Sequence, residues 1–348
     1  MDTNESVKKP TLYLDQNVLD MFVKRGVEST LNAIRKQYQV VYSDVTLQEI
    51  KNSGPWSDAF IKLLIRLDAA YLRIRVENGY QVTGEAFILK EDPAVVYEGY
   101  LEDEGPMLVQ QIMTPFLVKL YGGNTNQSLS DIGNREALLF EELLSVLANS
   151  SELFGDENPM IAQRIQEHVV MLNDNFRKAI NERNEKMKDM VDEAGCRSMV
   201  KDYRAAIKVD PKVLNNIKSP KIIEKIWSLV KDQDSFKGLS VDDFLGISRH
   251  PTQERHQFLF EKVSTIYNAL NFIGFYPDSK MNIERRMIAA LGDADHASRA
   301  CFAREFWSAD SNLVKKTKAI YEYLNIGTIV TEVKFILDEE EPGQSSVQ

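Results

Sequence analysis

Short apolar runs alternate with helical spacing in the first fifty residues of the chain. Residues 12–14 (LYL) form one run, and residues 17–25 then place apolar side chains three and four positions apart. A second run at 40–42 (VVY) is followed by another helical segment at 46–50. An apolar strand that leads directly into an amphipathic helix is typical of parallel sheets. The pattern therefore predicts β-α units of an α/β domain.

The middle of the chain has a different pattern. Residues 56–70 have the spacing of an amphipathic helix, and residues 71–88 contain the β-branched and aromatic positions of one further strand. From residue 92 to about 280 the spacing is helical almost throughout. The longest helical segments are predicted at 136–147, 160–192, 220–230 and 255–272.

The last part of the chain returns to the alternation of the first part. The predicted elements are a helix at 283–291 that Gly292 ends, a short helix at 293–300, a strand at 305–308, a helix at 312–323, a strand at 327–330 and a helix at 332–337. Residues 1–90 and 283–337 are thus expected to form one discontinuous domain, with a mostly helical insertion at 91–282. The acidic tail at 338–348 is expected to be disordered.

Composition narrows the class of protein. The chain has 348 residues, of which 43% are hydrophobic and 27% charged, as in soluble globular proteins. No apolar run is long enough to span a membrane, and the polar residues 1–6 do not resemble a signal peptide. The two cysteines, Cys196 and Cys301, lie too far apart for a metal-binding pair. The expected location is the cytoplasm, where thiols stay reduced.

Charge is distributed unevenly along the chain. The net charge is −10, yet residues 97–157 carry eleven acids against two bases, and residues 160–237 carry sixteen bases against twelve acids. A polyanionic partner is therefore expected to contact the middle of the chain. The alternative interpretation is that both regions are solvated helix faces.

Four carboxylates occur where a strand meets a helix or in the first turn of a helix: Asp15, Glu49, Asp293 and Asp310. Each has a simpler explanation as a helix cap, and Thr46 with Glu49 fits a capping box. Because the carboxyl ends of parallel strands share one edge, all four side chains are expected to converge. Converging carboxylates repel unless a cation neutralises them, which favours Mg²⁺ or Mn²⁺.

These segments resemble PIN-domain nucleases. Residues 14–19 (LDQNVL) resemble the opening strand and helix of that family, residues 45–50 (VTLQEI) its second-acid helix, and residues 293–297 (DADHA) its third-acid helix. Residues 306–311 (FWSADS) resemble the strand that bears the fourth acid. The resemblance implies a three-layer α/β/α fold with a short, mostly parallel sheet. The long helical middle departs from a minimal PIN domain.

The resemblance also implies an activity and a set of site residues. Asp15, Glu49, Asp293 and Asp310 would bind one or two Mg²⁺ or Mn²⁺ ions for phosphodiester hydrolysis, with RNA favoured over DNA as the substrate. Asp295 is a further candidate ligand, although two helix positions separated by about 200° cannot both face one ion fully. Asn17 and Ser308 are expected to orient the ligands. His296 is expected to contact a phosphate or steer a proton, with a packed or capping side chain as the alternative.

The residues are also compatible with two alternative functions and with several kinds of partner. The chain could be a PIN-like scaffold without activity, or a DNA nuclease of the flap-cleaving kind. PIN-like nucleases often serve as bacterial toxins or anti-phage effectors. The helical insertion is expected to bind substrate, a protein partner or an inhibitor, no membrane contact is expected, and a homodimer is compatible with the family.

Overall fold

The computed structural model describes residues 9–77, 81–103, 105–155, 159–191, 198–250 and 255–334. Its centre is a six-stranded sheet in the order β4-β3-β2-β1-β5-β6. The strands are β1 Thr11–Leu14, β2 Gln39–Tyr42, β3 Ala70–Glu77, β4 Gln81–Leu89, β5 Glu305–Ser308 and β6 Ile329–Glu332. All neighbouring strands are parallel except β3 and β4, which are antiparallel. The predicted α/β class with a mostly parallel sheet is confirmed.

Helices surround this sheet and fill most of the rest of the described chain. They are α1 Gln16–Arg25, α2 Glu28–Gln37, α3 Asp44–Asn52, α4 Ser57–Arg66, α5 Pro93–Glu102, α6 Gly105–Leu120, α7 Leu129–Gly155, α8 Pro159–Val191, α9 Met199–Ala206, α10 Pro211–Asn215, α11 Ile222–Val230, α12 Val241–Leu245, α13 Leu259–Ile273, α14 Glu284–Ala300 and α15 Ser311–Tyr323. None of the helices in the described part of the chain is both long and apolar enough to cross a bilayer.

Strand β1 joins the two ends of the chain. Tyr13 pairs with Val41 of β2 on one side and with Phe306 of β5 on the other. The side chains of a strand alternate between the two faces of a sheet, so Tyr13 packs with α13, α14 and α15, whereas Leu12 and Leu14 pack with α1 to α4. Both faces are buried, as expected for a central parallel strand.

The helical middle packs against itself and against the sheet-bearing part. Phe140 of α7 stacks on Phe176 of α8 with ring centroids 3.9 Å apart, and Arg183 of α8 forms an ion pair with the buried Glu136 of α7. Val118 of α6 contacts the cluster that contains Met287 of α14. Helix α13, although it falls within the predicted insertion, packs in the same core as Tyr13. The proposed division into domains stays a prediction.

Three predicted elements differ from the structure. Gly292 does not end a helix, because α14 runs unbroken through it. Residues 71–77 and 81–88 belong to two antiparallel strands, β3 and β4, rather than to one strand. The last strand extends to Glu332, so no helix begins there. Some of the predictions fall outside the described residues: those on residues 1–8, on Cys196, on residues 335–337 of the last predicted helix and on the tail at 338–348.

Candidate metal centre

Asp15 directly follows strand β1 and is 1% exposed. It occupies the N-cap position of α1, but its side chain makes no capping hydrogen bond, so the cap interpretation is wrong. Asn17 Nδ2 and Ser308 Oγ donate to the same oxygen, Oδ2, at 3.1 and 2.7 Å. Within the described chain no donor reaches Oδ1, which leaves this oxygen free to bind a ligand.

Glu49 lies one turn inside helix α3 rather than at its start. Ser43 is the N-cap of α3, and the capping box pairs Ser43 with Thr46, so the predicted box of Thr46 with Glu49 is wrong. The carboxylate of Glu49 instead lies 2.8 Å from Nε2 of His296 through its Oε2. A Cβ atom at Gly292 would lie 3.4 Å from Oε1 of Glu49, so the glycine lets this carboxylate approach helix α14 closely.

His296 is fully buried and connects α14 to both β1 and α3. Its Nδ1 shares a hydrogen bond of 2.9 Å with the Tyr13 hydroxyl, which in turn lies 2.7 Å from Ser43 Oγ. Burial disfavours a charged imidazole, but the Tyr13 oxygen and the carboxylates of Glu49 and Asp15 raise the pKa of His296 well above its ordinary value. The ligand atoms of Asp15, Glu49 and His296 all lie within 4.8 Å of one another.

Asp293 and Asp295 have different neighbours although both lie on α14. Burial raises the pKa of Asp293 well above its ordinary value, and the carboxylates of Asp15, Asp278 and Asp310 raise it further. Asp293 therefore belongs electrostatically to the group around Asp15.

Burial also raises the pKa of Asp295, to about 6, but the charges that act on Asp295 are those of Arg299, Asp44 and His296, and Ser264 gives it a hydrogen bond. The charges that act on the two residues favour Asp293 over Asp295 as the member of the acidic group. The assignment of Asp295 as a ligand stays a prediction.

Asp310 is the N-cap of α15, as the simpler interpretation proposed. Its Oδ1 accepts hydrogen bonds from the backbone N–H groups of Asn312 and Leu313 at 2.7 and 2.9 Å. Its own N–H donates to Ser308 Oγ at 3.0 Å, and the same hydroxyl donates to Asp15. Ser308 thus links the two acids, and Oδ2 of Asp310 accepts no hydrogen bond from the described residues. We call Asp15, Glu49, Asp293 and Asp310 the acidic cluster. Of these four, Asp15 and Glu49 belong to the group whose ligand atoms lie within 4.8 Å of one another, and Asp293 and Asp310 do not.

The sequence analysis assigned no role to Lys316, Asn271 and Asp278. These residues form a largely buried polar group, and the charges of Asp293 and Asp310 act on Lys316. Lys316 of α15 is fully buried, and its Nζ donates to Asn271 Oδ1 at 2.7 Å and to Asp278 Oδ1 at 2.8 Å. The same Nζ lies 4.0 Å from the centroid of the Tyr267 ring. A signal was present, because Lys316 falls between Leu313 and Ile320 on the apolar stripe of its helix.

The residues of this centre fit a hard divalent cation. Burial raises the pKa of Asp15, and the nearby Glu49 carboxylate raises it further, while His296, Ser308 and Asn17 lower it. Ionised carboxylates gathered in a buried place are costly unless a cation binds between them. Free oxygen atoms on Asp15 and Asp310 are the donors that Mg²⁺ and Mn²⁺ prefer.

A salt bridge fixes α3 against α14 beside this centre. Arg299 donates to both oxygens of Asp44, at 3.0 and 2.9 Å. Partial burial alone would raise the pKa of Asp44, whose side chain is 44% exposed, but the charge and hydrogen bonds of Arg299 lower this pKa below its ordinary value of 3.8. The pair therefore contributes stability that is present above pH 3.8 and is lost as the pH falls through the lower folded value.

We expect Asp44→Asn to lower the free energy of unfolding at pH 7 by about 1 kcal/mol, a small value because solvent screens the half-exposed carboxylate. The loss should shrink as the pH falls below 3.8. Urea unfolding at pH 7 and pH 3 measures both values, with Asp232→Asn, at an exposed turn position, as the control. An equal loss at the two pH values would contradict the role of this ion pair.

Comparisons of the chain with protein-family models, with curated proteins and with solved structures found no match.

Proposed function

We propose that this protein is a metal-dependent endonuclease of the PIN-like class that hydrolyses phosphodiester bonds in RNA. The observation that carries the proposal is that the ligand atoms of Asp15, Glu49 and His296 all lie within 4.8 Å of one another. The charges of Asp15 and Asp310 act on Asp293, which supports a role of these acids at the same centre. The preference for RNA rests on the resemblance of the motifs to PIN-domain nucleases.

The acidic residues would hold Mg²⁺ or Mn²⁺ through Oδ1 of Asp15, the Glu49 carboxylate and the free oxygen of Asp310, with Asp293 as a further ligand. When bound, the ion supplies Lewis acidity that activates water and stabilises the leaving oxygen. Ser308 and Asn17 orient Asp15 by donating to its other oxygen. His296 orients Glu49, and Tyr13 fixes the imidazole from the opposite side.

The arrangement of the chain supports a role of the helical middle in binding. The sheet receives its strands from residues 11–89 and 305–332, and helices α5 to α12 lie between these two segments without contributing a strand. We propose that these helices contribute the surface for RNA or for a protein partner. A role as a toxin or anti-phage effector in the cytoplasm is part of the same proposal.

Metal binding and RNA cleavage by Asp310 variants test the proposal. Asn is as good an N-cap as Asp, so Asp310→Asn should keep the unfolding free energy within about 0.5 kcal/mol of wild type without metal. Wild type should gain about 2.7 kcal/mol at Mn²⁺ concentrations of 100 times Kd, whereas Asp310→Asn should need at least about tenfold more Mn²⁺. Differential scanning fluorimetry with increasing Mn²⁺ measures the rise in Tm that accompanies this gain.

Two further experiments distinguish capping from metal binding and RNA from DNA as the substrate. Asp310→Ala should lose the cap as well, at about 1 kcal/mol, which distinguishes capping from metal binding. Labelled single-stranded RNA and single-stranded DNA, each incubated with wild type and Mn²⁺, report the substrate. A wild-type protein that neither responds to Mn²⁺ nor cleaves either strand is a scaffold, and the proposal then fails.

A further inference from the structure

Tyr267 of α13 carries a buried hydroxyl that has no hydrogen-bond partner among the described residues. The residue is fully buried. A hydroxyl that is removed from water without a partner is rare in native proteins, because its desolvation is not compensated. The hydroxyl is therefore available to a water or a ligand that binds to the folded protein.

Helix α13 packs against α14 and α15, and Tyr267 lies in the same buried cluster as Ala294 and Leu313, which are close in sequence to Asp293 and Asp310. Burial raises the pKa of Tyr267 well above its ordinary value, and the carboxylates of Asp293, Asp278, Asp310 and Asp15 raise it further, in that order. The hydroxyl therefore stays protonated and can donate a hydrogen bond to an acceptor oxygen. Nevertheless, within the described chain no carboxylate oxygen comes within hydrogen-bonding distance of it.

The Tyr267 ring is held in place from one face. Lys316 Nζ lies 4.0 Å from the ring centroid, a favourable cation–π distance. Lys316 is itself held by Asn271 and Asp278, and Asn271 also donates to the second oxygen of Asp278 at 2.8 Å. Both oxygens of Asp278 are thereby engaged within the protein, so Asp278 holds Lys316 rather than a ligand.

We propose that Tyr267 is a ligand-binding residue whose hydroxyl donates a hydrogen bond to an oxygen atom that enters the acidic cluster with its ligand. That oxygen belongs either to a water that accompanies the divalent ion or to a phosphate of the RNA backbone. The inference rests on the proposed nuclease function. It adds a neutral hydrogen-bond donor to the four carboxylates of the acidic cluster.

Tyr42 offers a matched control. It is also buried, at 1% exposure, and its hydroxyl likewise lacks a partner in the described part of the chain. Its ring, however, packs in the cluster formed with α1 to α4, and the charges that act on it are those of Tyr71, Glu91 and Asp92. The variants Tyr267→Phe and Tyr42→Phe each remove one oxygen atom and keep the ring.

The experiment compares both variants with wild type in three measurements. Calorimetric titration with MnCl₂ alone gives the Kd of the ion, steady-state cleavage of a single-stranded RNA gives kcat and KM, and thermal unfolding in EDTA gives Tm. Both variants should have a Tm equal to or above that of wild type. Tyr42→Phe should keep the Kd and kcat/KM, whereas Tyr267→Phe should change one of them about tenfold or more.

The outcomes separate the two sources of the oxygen atom. A raised Kd for Mn²⁺ in Tyr267→Phe assigns the oxygen to water, and an unchanged Kd with a reduced kcat/KM assigns it to the phosphate. Unchanged values of both, or a Tm in EDTA that falls for Tyr267→Phe alone, overturn the inference and leave the nuclease proposal standing. A wild-type protein that neither binds Mn²⁺ nor cleaves RNA overturns both.

Discussion

The Asp15→Asn protein is expected to lose RNA cleavage and to bind Mn²⁺ at least about a hundredfold more weakly than wild type. Asparagine is isosteric, and its side-chain oxygen can still accept the hydrogen bonds from Ser308 and Asn17. The substitution therefore removes the charge of the ligand with little change in shape. Titration calorimetry and the rate of cleavage of labelled RNA measure the two losses.

Metal-free stability gives an independent check on the same variant. Because burial raises the pKa of Asp15, an ionised carboxylate at this place is unfavourable at neutral pH. Asp15→Asn should therefore be at least as stable as wild type in EDTA, and the advantage should reverse when Mn²⁺ is added, since only wild type gains from the ion. A cap residue would show the opposite, a loss of stability with no effect of metal.

Asp20→Asn is the matched control for this prediction. Asp20 lies on the same helix, α1, and forms an exposed ion pair with Lys24. An exposed pair of this kind contributes only about 0.3–0.5 kcal/mol, so this variant should bind Mn²⁺ and cleave RNA like wild type. Equal cleavage by wild type and Asp15→Asn would remove the acidic cluster from the proposed chemistry.

The second large effect is expected at Lys316. Replacing this lysine with methionine keeps most of the buried stem but leaves the Asp278 carboxylate, 16% exposed, without its ion-pair partner. Breaking a buried ion pair from one side costs about 3–5 kcal/mol, because the remaining charge is uncompensated. We expect a loss of about 3 kcal/mol in the free energy of unfolding, measured by urea titration at pH 7.

A double-mutant cycle separates the ion pair from the packing of Lys316. Adding Asp278→Asn to Lys316→Met removes the stranded charge and should recover more than half of the loss. The exposed Lys318 of the same helix provides the control, and Lys318→Met should change stability by less than about 0.5 kcal/mol. A double variant no more stable than Lys316→Met alone would contradict the charge-pair explanation.

Most helices and strands and the candidate acids were predicted from local sequence patterns. The apolar runs of β1 and β2 and the helical spacing of α1 are properties of neighbouring residues, so the α/β class could be predicted. The proposed convergence of Asp15 and Asp310 came from one topological rule, that parallel strands share their carboxyl edge. The structure links these two acids through Ser308.

The prediction of helix boundaries was least accurate where the same residues fitted two different local patterns. Glu49 fitted a capping box by spacing, yet the helix begins earlier, and Thr46 occupies the position that completes the box. Gly292 had the features of a helix terminator, yet α14 continues because the turns on both sides of the glycine bury Met287 and Ala294 in the core. Tertiary packing overrode the local preference of glycine.

The sequence by itself determined the strands β1, β2 and β5, the helix α1 and the position of Asp15 and Asp310 at strand–helix junctions, because these follow from periodicity and from residue type. Glu49 and Asp293, in contrast, lie inside α3 and α14. Only the tertiary structure decided that His296 holds Glu49, that Lys316 belongs to a buried ion pair and that Tyr267 carries an unpartnered hydroxyl. His296 and Glu49 are separated by 247 positions, and Lys316 and Asp278 by 38. Contacts at such separations depend on how whole elements pack, and no local periodicity encodes them.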